Sequence, residues 1–163
     1  MKRYKKVPVK KVTEREYFYN KSRSHFAITS QTVLPEQITK ELGIQPDKTF
    51  KKGPYTRENS DTIYTNMYHL WQISSKEAIH EEESVSPHIR YLKNKLKSKL
   101  DILYRYKKDP QYDLIIVIWL ETEMGGMGFS FYEEELEFIN SICNRFDCFL
   151  MAKTDVTVAD AQP

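Results

Sequence analysis

Several common marks are missing from this sequence, and each absence narrows what the chain can be. It has only two cysteines, Cys143 and Cys148, too few for a disulfide framework. Free thiols and a reducing, cytoplasmic setting are expected. The longest unbroken apolar run, Leu114 to Leu120, falls far short of the roughly 20 residues a membrane helix needs. The N-terminus is charged with no apolar segment behind it, which is not the pattern of a signal peptide. The histidines His25, His69, His80 and His88 do not pair at metal-ligand spacing, and there is no HExxH, CxxC or GxSxG motif. Glycine is scarce, and three of the five glycines fall in one turn, Gly125, Gly126 and Gly128. That turn is no phosphate loop, because it reads as joining two strands and no Lys-Ser or Lys-Thr follows. The expectation is a non-enzymatic protein with no metal and no cofactor.

What is present fits one globular domain of 163 residues, 40% hydrophobic and 29% charged. The net charge of +2 conceals a gradient. Residues 1–23 hold nine Lys or Arg against Glu14 and Glu16, and residues 111–163 hold two against ten carboxylates. Such asymmetry points to polar partner surfaces. Residues 1–16 read as a basic flexible arm, 17–153 as the folded unit and 154–163 as a disordered tail.

Along the folded unit, Phe26 to Ser30 alternates like a half-buried strand, and Tyr17 to Tyr19 are expected to extend it or to form a short preceding strand. Pro35 to Leu42 carries helix signals at both ends: proline at the first position, then Gly43, Ile44 and Pro46 after the last turn. Residues 47–66 read as a polar, mobile loop with Phe50 anchoring a short extended piece. Met67 to Ser74 reads as a strand. A long helix is expected from a Ser86 cap to about Tyr106, with Ile89, Leu92, Leu96, Leu100 and Leu103 on its apolar stripe. Asp113 to Glu121 is the core strand, followed by a hairpin turn through 124–128 and a return strand bearing Phe129 and Phe131. A helix opening at Glu133 and a strand from Phe146 to Ala152 complete the chain. Both cysteines are expected on packed apolar faces. The fold class is α+β: a single antiparallel or mixed sheet of about five strands, with helices, one of them long, mainly on one face.

The ordered set Phe26-x-Ile28-x-Ser30, Leu34-Pro35-x-x-Ile38-x3-Leu42-Gly43-Ile44-x-Pro46, Trp71-x-Ile73-Ser74-Ser75 and Gly126-x-Gly128-Phe129-Ser130 resembles a widespread bacterial domain of unknown function. Members of that family look like immunity proteins of polymorphic or contact-dependent toxin systems. The resemblance implies an antitoxin-like partner protein and no catalytic residues. It makes a cognate toxin domain, often a nuclease, the expected partner. An inhibitor of a basic active site presents carboxylates. The candidates are Glu121 and Glu123 at the end of the core strand, Glu133 and Glu134 at the last helix, Tyr132 as an aromatic anchor, and Glu81, Glu82 and Glu83. The alternative is a nucleic-acid-binding module using the basic arm and the lysine-rich long helix.

Overall fold

The computed structural model describes residues 20–81, 84–122 and 128–152. In chain order the elements are β1 (Asn20–Ser30), α1 (Pro35–Leu42), β2 (Lys48–Phe50), β3 (Gly53–Thr56), β4 (Ile63–Asn66), β5 (His69–Ser74) and α2 (Val85–Leu96). A 3-10 turn (Lys97–Lys99), α3 (Leu100–Lys108), β6 (Tyr112–Thr122), α4 (Glu133–Ile142) and β7 (Arg145–Ala152) follow. The main sheet has the order β2-β5-β1-β6-β7. All its pairs are antiparallel except β6 with β7, so the sheet is mixed and the fold is α+β.

Alternation decides which residues go inward. Phe26 lies opposite Ile73 and Ile116, and Ile28 opposite Trp71 and Leu114. These residues, with Ile118 and Leu120, form one buried face. Ile38 and Leu42 of α1, Ile89, Leu92 and Leu96 of α2, Leu103 and Tyr106 of α3, and Phe138, Ile139 and Ile142 of α4 pack on it. All four helices therefore share one face of the sheet. No described helix lies on the other.

Helix α1 has the predicted limits. The Leu34 N–H donates to the Gln37 side chain, and Gly43, at φ 63°, donates its N–H to the Thr39 carbonyl. Thr39 in turn accepts the Trp71 indole N–H at 3.0 Å, tying α1 to β5.

Several expectations are corrected. The long helix begins two residues earlier, at Val85 behind Ser84, and a 3-10 turn divides it. Ser86 is not its cap but a buried residue bonded to α4. Because a 3-10 turn advances the side chains differently from an α-turn, Leu100 leaves the stripe and is 39% exposed, while Leu103 and Tyr106 return to the core. Residues 47–66 are not one loop. They hold β2 and the separate β3–β4 hairpin, where Tyr55 lies opposite Tyr64 with ring centroids 5.5 Å apart. The expected return strand at Phe129 and Phe131 is absent. Residues 128–132 carry no strand, and β6 instead reaches β7 through α4, the crossover a parallel pair requires. The hairpin turn itself, the basic arm, the stretch Tyr17 to Tyr19 and the tail lie outside the described residues.

Candidate functional site

The predicted acidic residues form two separate groups. Glu121, half-buried near the end of β6, lies opposite Lys21 of β1. Glu81 reaches the same lysine at 2.7 Å, and its carbonyl accepts the Ser22 N–H. Lys21, Arg23, Glu81, Trp119 and Glu121 line one shallow cleft. The Lys21 ammonium, bonded to Glu81, holds that carboxyl below the usual range, with further help from Lys76 and Arg23. Glu123, Glu82 and Glu83 lie outside the described residues.

The second group sits where α4 begins. Tyr132, Glu133 and Glu134 line an open surface with Arg90 and Glu137. Glu134 pairs with Lys93 of α2 at 3.4 Å, and the Arg90 guanidinium lies 5.2 Å from the centre of the Tyr132 ring. Tyr132 is 61% exposed.

Glu135, the third of the run, was not among the candidates, and it behaves differently. It is fully buried. Its carboxylate accepts the Ser86 hydroxyl, the Arg90 Nε–H at 3.0 Å and the Tyr132 N–H at 3.1 Å. It joins α4 to α2 and orients the Arg90 under Tyr132. The sequence signal was its spacing: the third residue after the cap is where a glutamate closes back on the chain.

The sheet face away from the helices is buried at Ala27, Thr29, Leu70 and Ile115, but beside them it holds a further set that charge alone does not mark. Arg23 of β1, Trp119 of β6 and Phe149 of β7 stand side by side across three strands. The guanidinium is 5.7 Å from the Trp119 ring centre, and Trp119 stacks on Phe149 at 4.6 Å. Two residues along β1, His25 bonds Ser74 of β5 through Nδ1 at 3.1 Å. Lys48 of β2 shares this face, opposite Gln72. Burial, then Arg23 and Lys48, push the His25 imidazole down to about 4, so it is neutral at pH 7.

Other chemistry-bearing groups are tied into the structure. His88 is buried and bonds Ser75 at 2.8 Å, and Ser75 also donates to the Ser24 carbonyl. His69 accepts the Lys52 N–H. Burial pushes the Cys143 thiol up to about 12, whereas Cys148, contrary to the packed position expected for it, is exposed on β7. No group of three or more His, Cys, Asp or Glu is placed to hold a metal among the described residues. No described helix is long and apolar enough to cross a membrane.

Residues 20–150 match the family described as "Domain of unknown function (DUF4279)". The chain belongs to that family. The match runs from β1 into β7, so the described helices and all but the last two residues of the sheet of this DUF4279 chain lie within it. No curated protein and no solved structure matches the chain.

Proposed function

We propose that this DUF4279 chain is an immunity protein that binds a cognate bacterial toxin domain and neutralises it by covering its active site. The observation that supports a binding role is the Arg23–Trp119–Phe149 row on the sheet face away from the helices. Arginine and tryptophan are the residue types that most often carry binding energy at protein interfaces, and here they are preorganised by one another. Glu81 and Glu121 are the proposed steering charges at one end of that face, with Glu82, Glu83 and Glu123 as further acidic candidates by sequence and Tyr132, Glu133 and Glu134 as a second contact region. A nuclease is the toxin class such carboxylates suit. The action is stoichiometric occlusion in the cytoplasm, without catalysis or cofactor.

Nothing specific favours the nucleic-acid alternative. Lys93 and Lys107 of the long helix are engaged by Glu134 and by the Asn140 carbonyl, and Lys95 and Lys108 lie against Tyr91 and Tyr104.

The test is genetic. Proteins encoded beside this chain's gene are expressed singly and together with it. A neighbour that arrests growth alone and is silenced by the chain supports the reading. If no neighbour is toxic, or none is silenced, the reading fails.

A further inference from the structure

Resting on the protein-binding reading, we infer that the half-buried to exposed part of the sheet face away from the helices takes an extended acidic segment of the partner polypeptide, running from Arg23 past His25 to Lys48. Neither Arg23 nor Lys48 has a carboxylate within ion-pairing distance among the described residues. The acids around them are taken: Glu81 bonds Lys21, while Asp113 and Asp147 both bond Arg145, at 3.5 and 3.0 Å. Arg23 and Lys48 lie two strands and four residues apart on the register. Strand spacing and rise put that diagonal at about 16 Å. An extended segment of about five residues spans it, with an acidic side chain at each end.

The same face argues against a polyphosphate chain. Trp119 has Arg23 on its β1 side and Phe149 on its β7 side, so neither ring face is left for a base to stack on. Asp113, Asp147 and Glu121 on this face repel a continuous line of phosphates. A short peptide with spaced carboxylates meets the two cations and avoids those acids. His25 lies on the path, between Ser74 of β5 and Val117 of β6, and serves as a built-in reporter. A carboxylate lodged beside it favours its charged form.

The experiment uses the full-length chain, a glutamate peptide of about ten residues and, in a second arm, an oligothymidylate of about ten nucleotides, both at low salt. The His25 imidazole is followed by NMR, its resonance assigned with His25→Gln. The glutamate peptide is expected to raise the His25 pKa by about one unit or more. The double variant Arg23→Ala/Lys48→Ala, shown folded by circular dichroism, should bind that peptide at least tenfold more weakly. An unmoved His25, an unchanged affinity in the double variant, or a response to the oligonucleotide alone overturns the inference. A toxin silenced equally well by the double variant also overturns it while leaving the immunity reading intact. Peptide binding at this face without any toxic neighbour does the reverse.

Discussion

His25 is pressed toward its neutral form by half-burial and by Arg23 and Lys48, and this links folding to pH. Its folded pKa, about 4, lies below the ordinary value of 6.5. The unfolded chain therefore binds the proton more readily. Stability from this group is complete above about pH 6.5 and is lost as pH falls toward 4. Discounted for solvent screening, the loss is about 1–2 kcal/mol. Urea unfolding across pH 7 to 4 should show a decline that His25→Gln removes. Glu36 and Glu81, both lowered, act with the same sign but only below the carboxylate range, so the two windows separate. An equal slope in wild type and His25→Gln between pH 6.5 and 5 would rule this out. Glu135 supplies the second residue-scale contrast. Three donors converge on its buried carboxylate, so Glu135→Ala leaves Ser86 and Arg90 without their acceptor and should cost about 3 kcal/mol. Glu133→Ala and Glu134→Ala, on exposed side chains, should change stability by no more than about 0.5 kcal/mol. Comparable losses at all three positions would mean that the run acts as one acidic patch.

Among the elements, α1 was the most legible, because its signals are local: a proline that needs no N–H partner, and a glycine where φ is positive. That reading is testable at Gly43. A Cβ there would meet only the Lys99 Nζ, at 3.8 Å, so the cost of substitution is conformational rather than steric. Gly43→Ala should destabilise by about 1 kcal/mol and Gly43→Asn by less, measured by thermal unfolding. A larger loss for asparagine would contradict a purely conformational role. The β6–α4–β7 connection was misread for the opposite reason. Whether a strand returns at once or crosses over through a helix is settled by long-range pairing, and a glycine-rich turn followed by Phe129 and Phe131 satisfies the local hairpin rules equally well. The divided long helix failed similarly, since even spacing of Leu96, Leu100 and Leu103 does not reveal a tightened turn. At the site, charge marked Glu81, Glu121 and Glu134 as candidates, but it could not show that Lys21 and Lys93 meet them. Arg23, His25, Trp119 and Lys48 come from three strands distant in sequence. Their only local signal was parity: in β1 and β6 they fall opposite to the apolar residues that enter the core.

For the molecule as a whole, the four described helices lie on one face of a five-stranded sheet, which makes the described layer one-sided. The two tryptophans sample its two sides. Trp71 is fully buried under α1 and donates its indole N–H to Thr39. Trp119 faces the other way, half-buried between Arg23 and Phe149. If the layer is one-sided in solution, the same substitution has unequal costs. Trp71→Ala removes a closely packed ring and should cost about 3–5 kcal/mol. Trp119→Ala removes a stack and a cation–π contact at a surface and should cost about 1–2 kcal/mol. Urea unfolding of both variants at pH 7 measures the difference directly. Tryptophan fluorescence adds a second readout, since a quencher such as iodide should reach Trp119 and not Trp71. Equal unfolding costs together with equal protection from iodide would mean that both faces are covered, which would remove the surface on which the binding proposals stand. Unequal costs would separate stability from recognition, because the Trp119 variant then stays folded at 25 °C and any loss of neutralisation by it reports on contact with the partner rather than on unfolding.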